Sequence, residues 1–143
     1  MDQVITLAAN YRRADVALMR ATNDEKTVRA AIRTERAARS ALLRAKPTTY
    51  GGALTLIRFV MRELACFEGN VISADLRRAR RDLNEGRFSY CTWTWLDMAV
   101  QLFRKYTSGN QWRQCAAAIR AVRDFIAAQG GKPDPRRLSV RIV

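Results

Sequence analysis

Apolar residues recur along most of the chain at the spacings of an α-helix. Segments 53–68 and 110–129 each carry them three and four residues apart, so each segment has one apolar face. Segment 89–107 is instead apolar on nearly all sides, which is typical of a helix at the centre of a bundle. The residues predicted to be buried together are Trp93, Leu96, Val100, Phe103, Trp112, Ile119 and Ile126.

Glycine and proline divide the chain into pieces of helical length. No proline occurs in the 85 residues from Thr48 to Lys132. Because both residue types disfavour helix interiors, their positions predict helix ends. The sequence therefore predicts an all-α fold: a single-domain helical bundle of five or six helices over residues 1–131, then a basic, proline-containing C-terminal tail, 132–143, that ends like a short strand. The predicted helices after the N-terminal region are 53–68, 70–85, 87–108 and 110–129.

Residues 2–45 keep one heptad register from end to end. Nine of the twelve seam positions are apolar, which permits one long N-terminal helix of about 66 Å. A capping box formed by Thr22 and Glu25 would instead begin a second helix there. We favour a helical hairpin of two helices, or one helix with a kink, because a single helix of this length far exceeds the ordinary range.

The composition removes most enzyme chemistry. The chain has no histidine, so a Ser-His-Asp triad, a His-ligated zinc ion and a proximal-His haem are all absent. Glycine motifs of nucleotide-binding loops and nucleophile elbows are missing as well. We therefore expect a protein that is not an enzyme and has no cofactor and no metal.

Cysteine use and hydropathy indicate the compartment. The three cysteines, Cys66, Cys91 and Cys115, form no C-x-x-C pair and are expected to be small buried thiols in a reducing cytoplasm. No apolar run approaches about 18 residues, so we expect no transmembrane helix and no membrane partner. The first residues lack the basic region of a signal peptide.

Charge is the feature that points to function. The chain carries 26 basic and 13 acidic residues, a net charge of +13. On segment 23–45 the basic side chains fall on one helical face, about 27 Å long and expected to be free of carboxylates, opposite an apolar face. Glu35 and Arg39 lie toward the apolar side and are predicted to form an ion pair. The members of this basic stripe are Lys26, Arg29, Arg33, Arg36 and Arg44.

A second arginine cluster lies in segment 70–85. Three arginines share a helical face with Asn84 and are predicted to bind phosphate or carboxylate groups, which guanidinium forks fit bidentately. Arg78 is expected to turn away from them, toward Asp75 and Asp82. For both basic surfaces, simple solvation is the alternative. The members of the cluster are Arg77, Arg80 and Arg81.

Three aromatic residues follow the cluster. Tyr90, Trp93 and Trp95 stand beside arginines, where aromatic rings can stack on unpaired bases. Their helical spacing within an apolar segment favours a place in the core. The alternation of apolar and polar residues over 90–95 leaves the start of a strand as a further alternative.

Three hypotheses for function follow. The first is a small non-enzymatic nucleic-acid-binding protein that contacts the phosphate backbone of DNA or RNA through arginine-rich helix faces. The alternative is a protein-interaction module, an inhibitor or adaptor of the kind that a phage or mobile element encodes, which binds an acidic protein surface. The third is a coiled-coil homodimer formed by residues 2–45, a seam weakened by Glu25, Glu35 and Arg39.

Overall fold

Six α-helices make up the part of the chain that the computed structural model describes: residues 2–21, 24–64, 71–86, 90–106 and 110–131. No strand occurs in these ranges, so the prediction of an all-α bundle of five or six helices is confirmed. The tail and its expected strand lie outside the described residues. The helices are α1 (Gln3–Arg20), α2 (Glu25–Arg44), α3 (Tyr50–Leu64), α4 (Val71–Asn84), α5 (Tyr90–Tyr106) and α6 (Asn110–Ile126), and α6 continues into a π-helical turn, Ala127–Gly131.

The principal helix contacts form a closed ring with one contact across it. Around the ring, α1 packs on α2, α2 on α6, α6 on α5, α5 on α4, α4 on α3, and α3 on α1. The contact between α3 and α6 crosses the ring. Because α3 and α6 each pack against three other helices, this pair forms the centre of the bundle, and α4 lies beside α3.

The prediction that the segment 89–107 forms the central helix is wrong. Helix α5 packs against α4 and α6, and Met98 on its outer side is 39% exposed. Its tryptophans are half-buried at the edge of the core. The guanidinium of Arg78 lies 4.9 Å from the ring centre of Trp95, and that of Arg123 lies 5.6 Å from a Trp93 ring. Cation–π contacts of this kind allow a nearly all-apolar helix to lie at the periphery.

The predicted core is present. Leu96, Val100, Phe103, Ile119 and Ile126 are all at most 2% exposed and belong to one apolar cluster. Trp93 and Trp112, the other two residues predicted to be buried, are half-buried and pack against this cluster. Helices α5 and α6 are joined by a stacked ring pair, in which Trp112 and Phe103 have centroids 6.3 Å apart.

Residues 2–45 form two helices that pack on each other as a hairpin, so the favoured of the two interpretations is confirmed. The second helix is capped by Asp24, whose carboxylate accepts hydrogen bonds from the Lys26 amide at 3.2 Å and the Thr27 hydroxyl at 3.0 Å. The expected cap, Thr22, lies outside the described residues. The N-cap of α2 is thus Asp24, two residues after the predicted cap, and the sequence did not separate the two because Thr and Asp are both good capping residues.

The N-terminus of α1 is tied to the segment that leads into α3. The buried carboxylate of Asp2 caps α1 by accepting a hydrogen bond from the Val4 amide at 2.9 Å. It also accepts bonds from the amides of Thr48 and Thr49, at 3.0 and 2.9 Å, and from the Thr49 hydroxyl at 2.8 Å. Burial tends to raise the pKa of Asp2, but these donors outweigh it and hold the pKa below the ordinary 3.8.

Close packing around this carboxylate requires glycine at position 52. A Cβ atom there would overlap the carboxylate of Asp2, and Gly52 itself donates its amide to the Thr49 hydroxyl at 3.0 Å. The hydrogen bonds of Asp2 thereby link α1, which carries Arg12, to α3, which carries Arg58.

We expect Phe103→Ala to lower the free energy of unfolding by about 3–5 kcal/mol, because truncating a buried aromatic residue removes transfer energy and leaves a cavity. Phe103 is 1% exposed. Urea unfolding measures the change, with Met98→Ala on the exposed side of the same helix as the control, expected below about 1 kcal/mol. A loss below about 1 kcal/mol for Phe103→Ala would place this side chain on the surface.

A double-mutant cycle tests the Asp2 linkage. Gly52→Ala should destabilise the wild type by about 1–3 kcal/mol, because the carboxylate must leave its buried donors. In an Asp2→Ala background the same change should be neutral or stabilising, since alanine is the better helix former by about 1 kcal/mol. Equal effects of Gly52→Ala in both backgrounds would contradict the linkage.

The same carboxylate predicts a pH dependence. Because the folded-state pKa of Asp2 lies below its ordinary value of 3.8, the stability it contributes is present above that value. That contribution is lost as the pH falls through the lowered pKa of the folded state. The stability difference between wild type and Asp2→Asn should therefore be constant near neutral pH and shrink below about pH 4.

Candidate nucleic-acid interface

Helices α3 and α4 enclose a cleft whose walls are rich in arginine. It has a volume of about 550 Å³ and contains the whole predicted cluster together with Asn84. The spacings from 77 to 80, 81 and 84 are three, four and seven residues, which place these side chains on one face of α4. We call this cavity the arginine cleft, and its lining residues are Arg58, Ala74, Arg77, Arg78, Arg80, Arg81 and Asn84.

Arg58 is the lining residue that sequence reasoning missed. It belongs to α3, whose apolar face packs into the core with Ile57 and Val60 fully buried. Arg58 is exposed on the other side of that helix and faces the cleft because α3 packs against α4. A signal was available, since Arg58 and Arg62 are the basic residues opposite the apolar face of segment 53–68.

Among the residues that the structure describes, none with a carboxylate lines the arginine cleft. Within the described ranges, Arg58 and the three cluster arginines form no ion pair. Like charges gathered in one concave surface create a strong positive potential. Guanidinium groups in such a place can bind phosphate oxygens bidentately, and their binding is favoured by relief of mutual repulsion.

Arg78 is held at the edge of the cleft by two partners. Its Nη1 lies 3.1 Å from Oδ1 of Asp75, which confirms one of the two predicted pairings, and its guanidinium also covers Trp95. Burial raises the pKa of the Asp75 carboxyl, and the charge of Arg78 opposes that rise. The other predicted partner, Asp82, instead accepts a hydrogen bond from the Thr92 hydroxyl at 2.8 Å. Arg78 therefore lines the cleft as an ion-paired group, and the expectation that it turns away from the other arginines is wrong.

The basic stripe of α2 is exposed along its length, but it is not free of carboxylates. All five of its side chains are solvent-exposed. Arg29 lies 2.5 Å from the carboxylate of Glu25, an exposed ion pair between residues four apart. Asp24 and Glu25 also border the depression beside Lys26 and Arg33. The expectation of a stripe without carboxylates is thus wrong at its N-terminal end, where the capping residues of α2 introduce acidic groups.

Helix α6 borders the C-terminal half of the stripe. Ser40 stands between Arg36 and Arg44 on the helical wheel, and its hydroxyl accepts a hydrogen bond from Nε2 of Gln114 at 3.2 Å. On the opposite side, Leu42 is fully buried, as the wheel predicts.

The predicted Glu35–Arg39 pair is confirmed and lies inside the bundle. Glu35 is buried, and its Oε1 lies 2.5 Å from Nη2 of Arg39, whose Nε is 3.9 Å from Glu63. Nearby, burial, followed by the charge of Glu63, raises the pKa of the Cys115 thiol to about 12. This thiol therefore stays protonated near neutral pH, as expected for a structural cysteine. Cys91 is half-buried, and Cys66 lies outside the described residues.

The two tryptophans that follow the arginine cluster pack against the hydrophobic core. Trp93 and Trp95 pack against it and are each covered by an arginine, which favours the core interpretation over base stacking. The segment 90–95 is helical, so the strand alternative is wrong. The side chain of Tyr90 lies outside the described part.

Comparison with known protein families, with curated proteins and with solved structures finds no match to this chain. Among the helices described above, none has the length and apolar character needed to cross a membrane.

Sulfate should stabilise the protein through the arginine cleft. At tenfold above its dissociation constant, a bound anion adds about 1.4 kcal/mol to the free energy of unfolding, about 4 °C in Tm. We expect Arg77→Gln with Arg81→Gln to remove most of the difference between sulfate and chloride at equal ionic strength. Arg104→Gln with Arg113→Gln, an equal loss of charge on α5 and α6, should keep it. Thermal melts in both salts measure the sulfate effect. An undiminished effect in the variant carrying Arg77→Gln and Arg81→Gln would contradict anion binding in the cleft.

Proposed function

We propose that this chain is a small non-enzymatic nucleic-acid-binding protein that contacts the phosphate backbone through its arginine-rich helix faces. The observation that carries the proposal is the arginine cleft, where four arginines without ion pairs in the described ranges surround one cavity. The stripe on α2 supplies a second, more exposed basic surface. A cytoplasmic location fits the free, buried thiol of Cys115.

Phosphate is the ligand chemistry that these side chains suit best. The basic residues include 22 arginines and 4 lysines, and arginine is the residue whose planar fork matches a phosphate bidentately. Duplex DNA carries one negative charge per about 1.7 Å of axis, so surfaces of this size meet several phosphates at once. Affinity of this kind arises mainly from counterion release and is therefore strongly dependent on salt.

Self-association through the heptad seam is not part of the proposal. Val4, Tyr11 and Leu42 belong to that seam, and all three are buried by the chain's own helices. An acidic protein surface is the alternative partner, because carboxylates also accept bidentate bonds from arginine. Binding to nucleic acid, with an affinity that falls steeply with salt, distinguishes the proposed function from this alternative.

Neutralising the cleft should reduce the salt dependence of binding. The variant carrying Arg77→Gln, Arg80→Gln and Arg81→Gln loses three phosphate contacts, and at about 0.9 per phosphate the slope of log K against log salt for a short duplex should become shallower by about 2.7. Fluorescence anisotropy at several salt concentrations measures this slope.

The matched control removes the same charge elsewhere. Arg104→Gln, Arg113→Gln and Arg120→Gln lie on α5 and α6 and should change the slope much less, apart from a general effect of net charge. Melting temperatures should stay near that of the wild type in both variants, because each substitutes two exposed arginines and one half-buried arginine, and exposed charges contribute little to folding. Equal slopes for the two variants would contradict a role for the cleft. If the wild-type protein binds no nucleic acid, the proposed function is wrong and binding to an acidic protein surface is favoured instead.

A further inference from the structure

A small apolar hollow lies next to the arginine cleft, between α1 and α3. It has a volume of about 210 Å³, and its apolar lining includes Tyr11 and Phe59, which are 6% and 8% exposed, and Leu42, which is fully buried. The rings of Tyr11 and Phe59 meet edge to face, with centroids 4.8 Å apart and planes inclined at 74°. The hollow is smaller than the roughly 300 Å³ at which sites for drug-sized ligands begin, so it suits a single ring system.

Arginines surround the apolar part of the hollow. Arg12 from α1 and Arg58 and Arg62 from α3 complete its lining. Arg62 lies 3.6 Å from Asp15, whereas Arg12 and Arg58 form no ion pair within the described ranges. An apolar pocket between unpaired cations complements a ligand that has a flat apolar ring flanked by anionic groups. A nucleotide within a polynucleotide strand has that chemistry.

The hollow and the arginine cleft share one lining residue, Arg58. On the other side, Arg12 also lines a shallow depression of α1 that includes Arg13 and Arg20. Basic groups therefore follow one another from α4 across α3 to α1, with the hollow in the middle of the path.

We propose that this path binds single-stranded nucleic acid, with phosphates on the arginines and one unpaired base in the hollow. This inference rests on the proposed function and specifies its ligand. Bases in a duplex are stacked and paired, so the hollow can accept a base only from a single strand or from an extruded nucleotide. Contact between a base and aromatic residues raises affinity about fivefold or more per base and tolerates different sequences.

Three probes of equal length separate the contribution of the base from that of charge. They are an oligothymidylate of about 12 nucleotides, within the range of known single-strand sites, an abasic strand with the same phosphates, and a duplex. The oligothymidylate should bind at least about fivefold more tightly than the abasic strand, since the two differ only in their bases.

A variant that fills the hollow provides the second measurement. Thr55 lines the hollow, and its hydroxyl donates a hydrogen bond to the carbonyl of Gly51, four residues earlier. Thr55→Leu should bring the affinity for oligothymidylate down to that for the abasic strand and leave duplex binding unchanged. Thr34→Leu is the matched control, because the Thr34 hydroxyl makes the same kind of bond to the carbonyl of Ala30 on exposed α2. This control should bind all three probes as the wild type does.

Photo-crosslinking keeps the proposal testable even where Thr55→Leu fails to fold. A strand containing 4-thiothymidine should crosslink to the wild type at Tyr11 or Phe59, as mapped by mass spectrometry. Crosslinks confined to the basic stripe of α2 or to α6 would overturn the proposal. Equal binding of oligothymidylate and abasic strand, with a salt slope that depends on the cleft, would overturn the base-binding hollow alone. Absence of binding to all three probes would overturn the proposed function as well.

Discussion

Burial of one apolar stripe per helix is the constraint on which the rest of this structure depends. The chain carries 26 basic residues, and the free energy of burying unpaired charges is prohibitive, so arginines without an ion pair must turn outward. Because α3 and α6 cross the centre of the ring and α4 packs beside α3, side chains of both α3 and α4 line one cavity. The arginine cleft is the consequence of that packing: two cationic faces that adjoin because their apolar faces share one core.

Local patterns predict much of this fold and part of the candidate site. The glycine positions predict only some of the divisions between the later helices. Gly86 follows the end of α4, but Gly51 and Gly52, predicted to precede a helix that begins at residue 53, lie in the first turn of α3. Helical periodicity predicts five buried core residues on α5 and α6 and the burial of Leu42 on α2. The shared face of Arg77, Arg80 and Arg81 follows from spacing alone, because helix geometry is the same in every context.

Features that depend on tertiary contacts could not be read from those patterns. Arg58 joins the cleft only because α3 packs on α4. Asp2 accepts hydrogen bonds from Thr48 and Thr49, which are 46 and 47 positions further along the chain. The prediction that segment 89–107 forms the central helix is wrong, because periodicity does not show that arginines cover Trp93 and Trp95. Likewise, a helical wheel of α2 alone contains no sign that Gln114 of α6 meets Ser40.

The central claim is that the arginine cleft is the surface that meets phosphate groups. The most direct measurement follows the side-chain Nε–Hε signals of the arginines by nuclear magnetic resonance during titration with an oligonucleotide. Hydrogen bonds to phosphate shift these signals individually, so each guanidinium reports its own contact. The account predicts that Arg58, Arg77, Arg80 and Arg81 shift first and most. Unchanged signals from these four, with shifts confined to Arg104, Arg113 and Arg120 on α5 and α6, would contradict it.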